Sequence, residues 1–261
     1  MKKNIILLIV ALIFGVVSAD AAQKKTRKRT AAAPALTVKE GAVKEYADGL
    51  VTQVFSIKKS VRVQSIGGPQ RMECSISVEY PMSGPTTLVA NARLWIKNQI
   101  NSDYKGALDN PKAMLLSAAK SWRDAQETSD IKVVYSTGKS ITYCDEAYSY
   151  IGGNHGMGGN LHATFLFGNG RQLTKSDLPR FSKWNMAQLM SRTLECKPSE
   201  VTDYLFQGIP TEYPDCVYLG ADGIHIVWGE YEIAPYAVGQ INVLLSGNKA
   251  DFSGTASGEY F

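Results

Sequence analysis

The chain has 261 residues, 44% apolar and 20% charged, which excludes a disordered, collagen-like or polytopic protein and leaves room for one large domain or two small ones. Its formal charge of +4 is unevenly placed. Seven of the 28 basic residues but only one of the 24 acidic residues precede Thr30, so the remainder holds 21 basic against 23 acidic residues, a net of −2. Such a body is not a basic nucleic-acid surface, and no nucleic-acid partner is expected.

Lys2 and Lys3, the apolar run over 4–17 and the small-residue patterns Val17-Ser18-Ala19 and Ala19-Asp20-Ala21 read as a signal peptide over residues 1–22. The run is shorter than the ~20 residues of a spanning helix, so no stable membrane span is expected after cleavage. The expected location is periplasmic or secreted, in a bacterial cell envelope. Residues 23–50 read as a basic, Ala/Pro-containing linker, with 38–50 ambiguous and a turn at Asp48-Gly49. The run from Lys24 to Arg29 reads as a solvated tether.

Strands are predicted over 51–57 and 61–66, then a turn at Gly67-Gly68-Pro69. Met72, Cys74, Ile76, Val78 and Tyr80 alternate with Glu73, Ser75, Ser77 and Glu79, the period of a half-buried antiparallel strand. Leu88, Ala92, Trp95, Ile96 and Ile100 make one helical stripe. Asn110-Pro111 is an N-cap and N1 pair opening a second helix with Leu115, Ala118, Ala119 and Trp122 on one side. Both tryptophans read as core. Further strands are expected over 131–135, 140–151 and 161–167, where Leu161, Ala163, Phe165 and Phe167 share a face and His162 points the other way. Ser182 is the expected cap of a helix carrying Met186, Leu189, Met190 and Leu194, and a shorter helix is expected over 198–206. Residues 216–219 and 224–228 form a hairpin across Asp222-Gly223, and 240–245 is the last strand. Strand runs interleaved with helix pairs predict an α+β fold, an antiparallel sheet with helices packed on one side, over 51–246. Residues 247–261 are expected to be a flexible tail.

The most distinctive stretch is 148–167, where glycines at 152, 153, 156, 158 and 159 surround His155 and His162 follows. No compact metal motif joins His155, His162, Glu146 or His225, so no metal is expected. Gly-x-Ser-x-Gly is absent, and Cys144-Asp145-Glu146 disfavours a thiolate, so no catalytic residue is assigned. Glu230 and Glu232 would share a face if their segment were extended, and a solvated edge is the preferred reading of them. The glycine loop lacks the lysine of a phosphate-binding loop, and no cofactor is expected. The four cysteines, Cys74, Cys144, Cys196 and Cys216, are disulfide candidates in an exported chain.

Two segments together carry a resemblance. Tyr150-Ile151-Gly152-Gly153-Asn154-His155-Gly156 resembles the Tyr-x-Gly-Gly-Ala-His-Gly segment of the RsiV-like domain family, with Asn154 in place of alanine. Glu230-Tyr231-Glu232-Ile233-Ala234-Pro235-Tyr236-Ala237-x-Gly239 is similar to its second signature, and Gly170 to Leu178 to the passage between them. The match spans about 143–245. The family is similar to the extracytoplasmic part of an anti-sigma factor that binds lysozyme, and many members have no known function. The resemblance implies an α+β fold and an envelope role in binding, not catalysis. No sigma-binding segment precedes the leader and no deacetylase motif is present, so those activities are not expected here. The expected ligand is a protein such as lysozyme or a cell-wall polymer, met by Tyr150, Gly153, Asn154, His155, Asn160 and His162. A metal-assisted envelope hydrolase and a structural envelope component are the alternatives.

Overall fold

The alternating stretch around Cys74–Tyr80 lies inside a six-stranded sheet, and the strands on either side of it follow in chain order. They are β1 (Lys39–Glu45), β2 (Val51–Ser65), β3 (Gly68–Ser83), β4 (Gln126–Ser136), β5 (Ser140–Tyr150) and β6 (Met157–Leu166). The computed structural model describes residues 35–261, and Leu36–Phe261 form one unit. The expected leader and basic run lie outside the described residues.

All neighbouring strands are antiparallel except β3 and β4, which are parallel. The chain between them crosses over through two helices, α1 (Thr86–Ile100) and α2 (Pro111–Ser121), as a parallel pair requires. The predicted stripe is the buried one: Leu88, Ala92 and Ile96 of α1 pack with Met114, Leu115 and Ala118 of α2 on Phe55, Ile57, Val78 and Tyr80. Asn110 accepts from the Ala113 N–H at 3.0 Å and caps α2. Residues 51–65 form one strand where two were expected. Lys59 stays within it because its ammonium donates to the Ala119 and Trp122 carbonyls at 2.8 and 2.7 Å, where the negative end of α2 lies.

A second sheet, absent from the expected architecture, holds β7 (Cys216–Gly220), β8 (Gly223–Trp228) and β9 (Ile241–Ser246). Val217, Leu219, Ile224, Ile226, Ile241 and Val243 form its core with α3 (Met186–Thr193). Asn185, not Ser182, caps α3, accepting from the Gln188 N–H at 3.2 Å. The helix expected over 198–206 is only a 3-10 turn, Val201–Tyr204.

The sheets meet through polar groups. Thr142 and Thr164 face each other across β5 and β6 with their hydroxyls 2.8 Å apart. Thr142 donates to the Leu219 carbonyl at 2.7 Å, and the Leu219 N–H donates to Thr164 at 2.9 Å. Two buried hydroxyls thus satisfy the backbone of β7, whose unpaired groups would otherwise be costly.

Both expected margins of the domain move outward. Within the expected linker, β1 pairs with β2, and a bulge between Glu40 and Val43 turns Glu40 toward the helix side and Lys44 to the other. Glu40 pairs with Lys112 of α2. Lys44, Tyr46 and Thr52 all donate to the buried Glu79 carboxylate, at 2.8, 2.6 and 2.8 Å. Burial alone pushes the Glu79 carboxyl up, but these hydrogen bonds outweigh it and hold its pKa below the usual value. The expected flexible tail is packed. Phe252 and Tyr260 are buried in the second core, and Ser140 donates to the Tyr260 carbonyl at 2.6 Å. With so few apolar residues, that segment shows no periodicity.

Candidate functional site

The β5–β6 hairpin brings the two resembling segments into contact. Its loop, residues 151–156, is shaped by Gly152 and Gly153 at φ of +100° and +98°. A Cβ on Gly152 would lie 2.2 Å from the Gln64 carbonyl oxygen, so only glycine lets the loop rest against the β2–β3 hairpin. Tyr150 donates to the Gly153 carbonyl at 2.9 Å. His155 contacts the Gly156 carbonyl oxygen through Nδ1 at 3.0 Å, and its ring stacks on Tyr236 with centroids 3.9 Å apart. Tyr236 in turn stacks with Tyr231 at 5.8 Å.

The outer edge of β6 is sealed by the same downstream segment. The Gly158 N–H donates to Glu230 Oε2 at 3.1 Å. Gln240 imitates a paired strand: its Oε1 accepts from the Asn160 N–H at 3.0 Å and its Nε2 donates to the Asn160 carbonyl at 2.9 Å. Glu230 and Glu232 do not share an extended face as weighed from sequence. They flank a turn in which Tyr231 has φ +63°, and Glu232 accepts from the Gly229 N–H at 2.8 Å.

Of the expected ligand-binding residues, Tyr150, Gly153, Asn154 and His155 gather at the loop, and Asn160 lies beside it. His162, two residues after Asn160 on the same strand, does not join the loop residues. It lies on the face of β6 toward the second sheet, its ring stacked on Tyr218 with centroids 3.8 Å apart. Tyr218 stacks with His225 at 4.8 Å. His225 reaches Asp222 Oδ1 through Nε2 at 2.7 Å and Asn242 Oδ1 through Nδ1 at 2.9 Å, and Asn242 donates to the Tyr218 hydroxyl at 2.8 Å. Burial, then the neighbouring His225, push the His162 pKa down to about 4. Tyr218, Asp222 and Asn242 were not singled out from sequence. Tyr218 and Asn242 lie on β7 and β9, and Asp222 in the turn between β7 and β8, so no local pattern joins them.

The histidines thus divide between two places. Among the described residues, no group of three or more His, Cys, Asp or Glu side chains is placed to hold a metal ion. The disulfide expectation is corrected: all four cysteines are free thiols. Cys74 lies in the helix-side core, hydrogen-bonded to the Ala125 carbonyl at 3.3 Å, while Cys144 lies on the opposite face of the same sheet. Burial pushes the Cys144 thiol up to about 12 and the Cys216 thiol to about 11.

Large apolar side chains are exposed at the loop end. Ile66 is 74% exposed, Ile151 59%, Met157 49%, Tyr231 46% and Tyr148 40%. They come from the β2–β3 hairpin, the glycine loop and its arms, and the 230–236 turn, which the contacts above join into one region.

With this geometry in hand, residues 166–246 match a family model described as a protein of unknown function, DUF3298. The match includes the second signature and not the glycine loop. No curated protein matches the chain. Its fold is similar to that of a DUF3298 family member from Bacteroides fragilis NCTC 9343. That crystal structure is 15% identical, with a TM-score of 0.54, over 75% of this chain and 90% of that one. It is also similar to a DUF3298 family protein from Pseudomonas aeruginosa PAO1, 14% identical with a TM-score of 0.52, over 87% of this chain and 97% of that one. Among the described residues, no helix is long and apolar enough to cross a membrane.

Proposed function

We propose that this chain is an exported binding protein of the bacterial cell envelope, of the RsiV-like kind, and that its ligand is another protein. The observation that carries this reading is the exposed cluster of Ile66, Tyr148, Ile151, Met157 and Tyr231 at one end of the molecule. Exposed apolar patches that include tyrosine are typical of protein contact sites. The backbone adds support. Tyr231 holds φ +63°, a conformation costly for a bulky residue and often kept where function needs it.

Export is supported by the basic and apolar pattern of residues 1–22. The resemblance of 150–156 and 230–239 to a lysozyme-binding domain makes lysozyme the first ligand to test. Lysozyme is basic, and the net −2 of the residues from Thr30 onward suits it.

The test is a pull-down and titration calorimetry with the purified chain against lysozyme, with insoluble peptidoglycan as a second arm. Micromolar or tighter binding to lysozyme, reduced at least tenfold by Ile151→Asp, is the expected result. Binding to peptidoglycan alone would replace the protein ligand by a glycan. Binding to neither would remove both.

A further inference from the structure

We propose that the His162–Tyr218–His225 stack is an acid-sensitive clasp, holding the three-stranded sheet against the six-stranded one and loosening when His162 takes up a proton. The two imidazoles lie on either side of one tyrosine ring, yet their surroundings are opposite. Both nitrogens of His225 face oxygen atoms, Asp222 Oδ1 at 2.7 Å and Asn242 Oδ1 at 2.9 Å. Because Asn242 Nδ2 donates to the Tyr218 hydroxyl, its Oδ1 is left to accept from the ring. Both ring nitrogens of His225 thus have an oxygen partner.

His162 is built the other way. Its Nδ1 is buried and has no hydrogen-bond partner. A proton there would leave an unsatisfied buried N–H and bring a charge into a buried site that the neighbouring His225 also makes unfavourable. The titratable and charged groups around it come from several elements. Cys144 lies opposite it on β5, with Glu146 two residues on. Glu146 is already paired with Lys132 of β4 at 2.8 Å, and Lys132 also holds Asp130 at 3.2 Å. From the second sheet come Tyr218 and Cys216 of β7, whose Sγ is 4.0 Å from the His162 carbonyl oxygen, then His225 of β8 and Asp222 of the turn. None of these carboxylates is hydrogen-bonded to Nδ1.

The position gives the stack its leverage. Tyr218 immediately precedes Leu219, whose backbone is held by Thr142 and Thr164, so these contacts tie β7 to β5 and β6. The sign is fixed by the geometry. A histidine held neutral binds its proton more weakly in the closed form than in the open one, so the clasp is fully present above the ordinary value of 6.5. It weakens as pH falls from there toward about 4.

The experiment follows hydrogen exchange at the Leu219 amide in the purified chain between pH 7.5 and 4, corrected for intrinsic exchange, with NMR titration of the histidine ring protons. The expected result is a fall of at least tenfold in Leu219 protection on acidification while β2 and β3 stay protected. In His162→Gln, which cannot take up a proton, that pH dependence should disappear. In His225→Gln, His162 should titrate at higher pH than in the parent chain. The proposal is overturned if His162 titrates near 6.5, or if His162→Gln keeps the acid-dependent loss. It is equally overturned if His162→Gln lowers Leu219 protection by the same factor at every pH, since the ring would then serve packing alone.

Discussion

The two edges of the six-stranded sheet face the same hazard and meet it differently. Each edge strand carries backbone N–H and C=O groups that invite another strand. At β1 the defence lies within the strand. Its sequence, KEGAVKE, is exposed throughout, and a bulge breaks the regular edge. At β6 the defence is brought in from 72 and 80 residues away, by the carboxylate of Glu230 and the carboxamide of Gln240. An edge protected by its own charges needs nothing beside it. An edge sealed by a distant loop can keep apolar side chains next to it, and β6 does so with Tyr148, Ile151 and Met157. The asymmetry is what leaves apolar side chains exposed at the loop end and not along the charged strand β1.

The largest effect is expected where β1 is anchored. Glu79→Ala leaves Lys44, Tyr46 and Thr52 without their shared acceptor and should destabilise the fold by about 3 kcal/mol in urea unfolding. Because the native pKa of Glu79 is lowered, its contribution is present above the ordinary value of 4.5 and is lost as pH falls through the native value. Acid unfolding of the variant should therefore be shallower than that of the parent. An unchanged acid profile would mean that β1 is held by strand pairing alone.

Next comes the glycine loop, where two adjacent residues separate close approach from backbone strain. Gly152→Ala meets both the Gln64 carbonyl and an unfavourable φ, and should cost about 2–3 kcal/mol. Gly153→Ala has the same φ but open space around it, and should cost about 1 kcal/mol. Equal losses would show that the loop does not rest on the β2–β3 hairpin. Gln240→Ala removes two partly solvated hydrogen bonds from β6 and should cost about 1 kcal/mol. If the edge argument holds, that variant also self-associates, which sedimentation velocity would detect.

Much of this was legible in the sequence where one local rule sufficed. The alternation from Met72 to Tyr80, the stripe of α1 and the Asn110-Pro111 cap each encode their element within a few residues. β1 was not legible, because KEGAVKE carries no period-two apolar pattern and its anchor, Glu79, lies 35 residues from Lys44. The second sheet was hidden for a related reason: its three short strands look like continuations of the first until Thr142 and Thr164 are seen to hold Leu219. The two histidines nearest in sequence, His155 and His162, invited a common role. His155 lies in the glycine loop and His162 within β6, and their aromatic partners, Tyr236 and Tyr218, lie far along the chain.

The smallest effect on stability should distinguish the two edges most sharply in binding. Val43 is 59% exposed on β1, and Tyr231 is 46% exposed beside β6. Val43→Asn should change stability by less than about 0.5 kcal/mol, as exposed substitutions usually do. Tyr231→Asn should change it as little, because the lost stack on Tyr236 is offset by asparagine's tolerance of positive φ. Thermal unfolding would then place both variants with the parent chain. In the lysozyme titration they should part, Val43→Asn binding like the parent and Tyr231→Asn at least tenfold more weakly. If both bind like the parent, Tyr231 is not part of the contact surface, and its backbone conformation serves only to carry Glu230 to the Gly158 N–H.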